Sequence, residues 1–417
     1  MTRRYSFLSI MREALRNHRG WKPAWRKADL RDRYDVVVIG GGGHGLATAY
    51  YLAAEFGITN VCVIEKDWIG GGNTGRNTTI IRSNYLQPES MALYGLAHKL
   101  YENLTQELGF NVLFSGRGLV SLAQTRHELD QLTRIADANR HFGIDSWLIP
   151  PQEIRKHVPM LAEDSRSRYP ILGALYQPRG GTARHDAVAW GYARGASQLG
   201  VDIVENCAVT HLVSEGDKVV GVATTKGTVL AGTVAVTAAS ASAEITASAG
   251  VRLPLRAQTL QALVSEPIKP VLDVVVMAGA VHGYVSQSDK GELVIGGGTD
   301  SQIDHSRRGA PPRIEESAAA MVELFPSFAR LKMMRQWAGT VDMTSDRSPI
   351  IGPAGPANLW LNCGWGTGGF KAIPGSGYVF AASLANGRPH PIAAPFGIDR
   401  FQDGRVIDED AAAAVAH

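Results

Sequence analysis

The sequence has little cysteine: Cys62, Cys207 and Cys363 are the only three in 417 residues, far apart and set in apolar or glycine-rich surroundings. That excludes a disulfide framework, and no spacing suits a metal. Buried thiols in a reducing, cytoplasmic setting are expected. No run of about 18 apolar residues exists, so no membrane-spanning helix is expected. The N-terminus also lacks the apolar core and small-residue cleavage site of a signal peptide. Charged residues make up 19% with a formal net charge of +3, too small to imply a nucleic-acid partner. The first 33 residues are the exception, with ten Lys and Arg against three acids. They read as a solvated arm or one lying on a partner subunit, an electrostatic tail being the alternative. There is no metal-ligand cluster, no Ser–His–Asp arrangement and no internal repeat.

Glycine is plentiful, 46 residues in a chain that is 45% hydrophobic. The length suits two intimately packed domains or one large α/β unit. The glycines cluster where chemistry is expected. "YDVVVIGGGGHGLATAYYLAAEFGITNVCVIEKD" reads as a buried strand (35–39), a turn with Gly40-x-Gly42-x-x-Gly45, a helix (47–54), and a second strand (60–64) ending in Glu65. Gly40 permits the tight turn, Gly42 and its neighbour Gly43 bring backbone to a pyrophosphate, and Gly45 lets helix pack on strand. The phosphates meet unpaired N–H groups at the helix start, and Glu65 accepts from ribose hydroxyls. His44 reads as a packing residue near the phosphates.

This motif serves NAD and FAD alike. A second glycine-rich segment, "WIGGGNTGRNTTIIRSNY", favours the longer FAD and offers Asn73, Arg76, Thr78, Thr79 and Ile81 as further contacts, a plain surface loop being the alternative. Near the C-terminus, "LWLNCGWGTGGFKAIPGSGYVFAASLAN" places a strand (359–363) before a glycine-rich loop with Gly366 and Gly369, then a helix (about 374–384) beside Lys371. A positive helix end there stabilises the anionic N1–C2=O edge of a reduced flavin. Between these poles "GTVLAGTVAVTAAS" reads as a strand pair near cofactor, and Val209 as a backbone contact to adenine.

Together these segments resemble the FAD-dependent amine and amino-acid oxidoreductases of the D-amino-acid oxidase and glycine oxidase type. Within them the chain is similar to the β subunits of heterotetrameric sarcosine oxidases. The likeness rests on "VVVIGGGGHGLATAYYLA", "GGNTGRNTTIIRSNYL", "YQPRGGTARHDAVAWGYARGA", "LQALVSE", "YVSQSDKGELVIGGGTDS", "RQWAGTVDMTSDRSPIIG" and "NCGWGTGGFKAIPGSGY". It leaves the basic arm unmapped. The resemblance implies non-covalent FAD, and FMN covalently attached through His185, which by local sequence alone is an ordinary helix-start histidine. Arg184 and Asp186 are its neighbours.

The implied substrate is sarcosine, its carboxylate held by Arg82 and Lys371. The alternative is that Arg82 binds FAD phosphate and Lys371 caps a loop. Oxidative demethylation to glycine would send electrons from FAD to FMN and on to oxygen, giving H2O2. The one-carbon unit would leave as formaldehyde or pass to tetrahydrofolate. Tetrahydrofolate and NAD are expected only on the α, γ and δ partner subunits. His282, Tyr284 and Gln287 are candidate pocket-shaping residues. "GELVIGGG" places Val294 and Ile295 where monomeric relatives carry a Lys that promotes oxygen reduction at FAD, which agrees with electron export. The competing readings are a stand-alone FAD dehydrogenase of another N-methyl amino acid and a non-catalytic cofactor-binding subunit.

The expected fold is α/β. A discontinuous Rossmann-like FAD-binding domain (34–110, 165–255, 338–390) accompanies an α+β substrate domain built on an antiparallel sheet (111–164, 256–337). The basic arm (1–33) precedes them, and an extended tail (391–417), placed against the α subunit, follows.

Overall fold

The computed structural model describes residues 6–19, 23–162, 168–303 and 308–407. The strand Arg33–Ile39 is rich in valine and buried on both faces from Val36 onward, as expected of a central parallel strand. It pairs in parallel with Val61–Ile64 on one side and Gly227–Val236 on the other. Asp202–Val204 and Leu359–Cys363 extend this sheet in parallel, and Ile350–Pro353 closes one edge antiparallel. A hairpin of Val209–Glu215 and Lys218–Thr224 hangs on the first half of Gly227–Val236. The segment read as a strand pair is therefore one ten-residue strand.

Helix Gly43–Phe56 follows the first strand at once and crosses helix Gly369–Asn386 closely. A Cβ on Gly43 would overlap Ile373, and one on Gly377 would lie 2.5 Å from Ala47. The second helix starts at Gly369, five residues ahead of Pro374, which stands inside it. Proline has no N–H to offer the carbonyl of Phe370 four residues back, and that carbonyl instead accepts from the Tyr101 hydroxyl at 2.7 Å.

The second sheet also has eight strands, in the order Met333–Met343, Arg256–Pro267, Glu292–Ile303, Gly283–Gln287, Val275–Ala278, Leu119–Ala123, Gly173–Gln177 and Trp147–Ile149. It is antiparallel except between Val275–Ala278 and Leu119–Ala123. Its Leu119–Ala123 strand is buried throughout rather than alternating, because helix Arg126–His141 covers one face. Helix Pro311–Leu324 packs on the other face through Ala320 and Met321. The strand Gly173–Gln177, inside the segment 165–255, belongs to this sheet.

Both ends of the described chain differ from expectation for an electrostatic reason. Arg26 and Arg31 both pair with the buried carboxylate of Asp202, which also accepts from the Tyr34 hydroxyl at 3.0 Å. This part of the basic arm is thus fastened to its own chain. The helix Phe7–Leu15 ahead of it buries no residue. The described part of the tail, 391–407, is folded, not extended: short helices Ala394–Phe396 and Arg400–Asp403 are tied down by Arg400, which forks onto Asp346 at 2.7 and 3.0 Å. The rest of the expected tail lies outside the described residues.

Candidate active site

A cavity of about 870 Å³ lies between the two sheets and takes its walls from both. At one end the first strand delivers Gly40, in a left-handed conformation at φ +114°, where a Cβ would stand 2.7 Å from the Thr237 carbonyl oxygen. Gly42, Gly43 and His44 follow on the cavity wall at the helix start, where N–H groups have no intrahelical partner. Gly45 is not on the wall. A Cβ there would run into the Gly40 carbonyl, so this glycine serves the helix–strand packing. Glu65 borders the cavity at the end of its strand and accepts from the Gly41 and Asp67 N–H groups at 2.8 and 3.0 Å. Each carboxylate oxygen keeps a lone pair for a hydroxyl. Val209 borders the same end.

The segment after Glu65 runs along the cavity. Asn73 donates to the Thr340 carbonyl at 2.5 Å, and Arg76 to the Gly71 and Gly72 carbonyls, so both clamp the loop to itself and to the second sheet. Thr78 donates to the Tyr284 hydroxyl at 3.1 Å, and Thr79 adopts φ +69°. All four line the cavity. Ile81 does not. The period of two turns Ile80 and Arg82 inward and leaves Ile81 in the core, paired with Gly181.

At the other end stand two cations. Arg82 is buried, donates to Asn84 through its backbone and side-chain oxygens at 3.0 Å, and lies over the Tyr85 ring. Lys371, in the first turn of its helix, donates to the Thr367 carbonyl at 3.1 Å. No carboxylate pairs with it among the described residues. Burial and the charge of Arg82 lower its pKa to about 7. Sequence positions at opposite ends of the chain thus face one cavity, and two neighbouring cations there call for an anion.

His44 stacks on Trp365 at 4.4 Å and shares a 2.5 Å hydrogen bond with Ser376. Burial holds its pKa down to about 3, so the ring is neutral. Gly366 and Gly369 border the cavity beside it.

His185 lies outside the cavity, as the first residue of helix His185–Gln198. Burial lowers its pKa, Asp186 opposes that, and the Arg184 charge adds to it. Its approach strand, Gly181–Thr182, pairs with Ile80–Ile81, so the histidine is tied by one short ladder to the strand that leads directly into Arg82.

Of the pocket-shaping candidates, Tyr284 borders the cavity, whereas His282 and Gln287 do not. Gln287 instead fastens turns, accepting from the Val271 and Leu272 N–H groups and donating to the Lys269 and Gly291 carbonyls. Sequence reasoning missed Gln261, Asp342 and Asn362. All three are buried on the cavity wall. Asn362 had a signal, a polar residue at the carboxyl end of a parallel strand. Gln261 and Asp342 had none.

The wall fits a dinucleotide flavin. Two helix starts face one space, and Gln261 Oε1 and Asn362 Nδ2, an acceptor and a donor, are buried there without partners among the described residues. The three cysteines are buried and free. No helix among the described residues is long and apolar enough to cross a membrane.

Residues 35–383 match the family described as FAD dependent oxidoreductase. A sarcosine oxidase subunit beta of Rhodobacter capsulatus is 56% identical over 415 residues, covering all of both chains. Another, from Rhizobium meliloti, is 50% identical over 97% of each. Among solved structures, L-proline dehydrogenase from P. horikoshii superposes with a TM-score of 0.85 at 26% identity, over 90% of this chain and 99% of its own. The chain belongs to the FAD-dependent oxidoreductase family, in the group of the sarcosine oxidase β subunits.

Proposed function

We propose that the chain oxidises sarcosine, a small secondary amine with a carboxylate, as the β subunit of a multi-subunit oxidase. The observation that carries this reading is the meeting of Arg82 and Lys371 in the cavity of an FAD-dependent fold. Arg82 offers a planar fork and Lys371 a point charge, a pair suited to a carboxylate. With that group held, the N-methyl end is directed along the wall of Ile80, Met277 and Tyr284. Positioning of this kind supplies much of a rate enhancement. The amine must be neutral to give up a hydride equivalent, so turnover rises with pH. FAD, when bound, supplies the two-electron acceptor. In the proposed net reaction, sarcosine, oxygen and water give glycine, formaldehyde and hydrogen peroxide. On a partner subunit tetrahydrofolate takes the one-carbon unit instead.

For the FAD we assign Gly40, Gly42, Gly43, His44, Glu65 and Val209 to the dinucleotide end. Asn73, Arg76, Thr78 and Thr79 lie along its length, with Gly366 and Gly369 at the ring. His185 is the proposed attachment point of FMN, which would carry electrons from FAD to oxygen at the boundary with an α subunit. In support, the imidazole is held neutral, the state in which it is nucleophilic. The test is a denaturing gel of the purified complex under ultraviolet light. The band of this chain should fluoresce, and His185→Ala should abolish the signal while FAD remains. A dark wild-type band would replace this reading with a stand-alone dehydrogenase.

A further inference from the structure

Asp342 sits near the end of the strand Met333–Met343, is 2% exposed, and borders the cavity. A carboxylate buried to that degree is costly unless hydrogen bonds or a cation offset the loss of water. No cation pairs with it among the described residues. What it has is a loop. Its carboxylate accepts from the Gly364 N–H at 2.5 Å, and its carbonyl accepts from the Gly366 N–H at 3.0 Å. Two amides of one loop, on either side of Trp365, therefore converge on one residue. Burial still pushes the carboxyl pKa up to about 6.

The loop needs such a clasp. Gly364 and Gly366 are both left-handed, at φ +73° and +50°, with Trp365 between them. The Trp365 ring is fixed separately, donating to Asn362 at 2.7 Å and stacking on His44. The next residue, Thr367, supplies the carbonyl that takes the Lys371 ammonium, and the helix begins at Gly369. Two hydrogen-bonded contacts, joined by the backbone from Gly366 to Thr367, thus connect Asp342 with the cation.

We propose that Asp342 is a positioning residue for the substrate anchor: by clasping the Gly364–Gly366 loop it sets where the Lys371 ammonium meets a bound carboxylate. The inference rests on the carboxylate-anchor reading above. Asp342→Asn keeps the size but removes the negative charge and leaves a weaker, neutral acceptor for the loop amide.

The experiment uses the flavin-loaded complex and titrates acetate, a carboxylate that cannot react, following flavin absorbance. In Asp342→Asn, FAD content should hold while the acetate Kd rises roughly tenfold or more, and the sarcosine KM should rise by more than kcat falls. A lowered melting temperature with unchanged acetate Kd and KM would reduce Asp342 to a purely structural part and overturn the proposal. If Asp342→Asn does not fold, Gly364→Ala decides. Its Cβ would press on Thr344 at 2.9 Å and strain the same loop from the other side, and it should give the same rise in acetate Kd. An unchanged Kd there is equally fatal. A wild-type complex whose flavin spectrum ignores acetate would instead contradict the anchor reading itself.

Discussion

At the scale of the residue, Lys371 carries the sharpest expectations. Removing its charge as Lys371→Met leaves the carboxylate with Arg82 alone. A charged hydrogen bond contributes ~1.5–3 kcal/mol, so kcat/KM should fall by roughly 10- to 100-fold in steady-state assays. Burial and Arg82 place the Lys371 pKa at about 7. In the proposed anchor the ammonium form binds, and it is lost as pH rises through that value. Acetate affinity should therefore weaken from about pH 6 to about pH 9, over which acetate stays ionised. In Lys371→Met the profile should be flat. A pH-independent Kd in the wild type would show that Lys371 does not hold the carboxylate. Turnover moves the opposite way, because it needs the neutral amine.

At the scale of the element, the first strand–turn–helix unit was open to reading because each requirement is local. A buried strand, a left-handed turn and a close helix approach each select glycine or valine at fixed spacing. The prediction at this scale concerns Gly45: in Gly45→Ala the new Cβ has no room beside Gly40. The purified variant should lose FAD on gel filtration or fail to accumulate folded. The last long helix was harder to read, since a proline normally marks a helix start. Here the Tyr101 hydroxyl satisfies the carbonyl that Pro374 leaves without a donor, a partner 269 positions away that no local pattern announces. Tyr101→Phe should cost about 1 kcal/mol in denaturant unfolding. An unchanged midpoint would mean that water replaces the hydroxyl freely. Asp342 and Gln261 escaped sequence reading for the same reason as Tyr101: their meaning lies in what the fold brings to them. His185 was singled out only through the family resemblance, and the short ladder that joins its segment to that of Arg82 is invisible in sequence.

At the scale of the whole molecule, charge pairs fasten the segment before the first strand to Asp202 and the end of the described chain to Asp346. Arg400 and Asp346 are each 2% exposed, and the Arg400 guanidinium also donates to the Phe396 and Ser348 carbonyls. Breaking such a pair strands a buried charge, so Arg400→Leu should lower unfolding stability by ~3–5 kcal/mol. Burial alone would raise the Asp346 pKa, but Arg400 outweighs it and holds the carboxyl below its ordinary range. Its contribution is thus present above about pH 4 and lost as pH falls through the depressed value. The gap between wild type and Arg400→Leu should narrow in acid, and a gap that stays constant would contradict the pairing. The same architecture sets a cavity between two sheets, lined by the glycine turn of the first strand and by the two cations Arg82 and Lys371. Anaerobic titration of the flavin-loaded complex with sarcosine tests that arrangement most directly. The account predicts that the oxidised flavin absorbance bleaches in the wild type and that far more sarcosine is needed in Lys371→Met. A wild-type spectrum left unchanged by saturating sarcosine would contradict it.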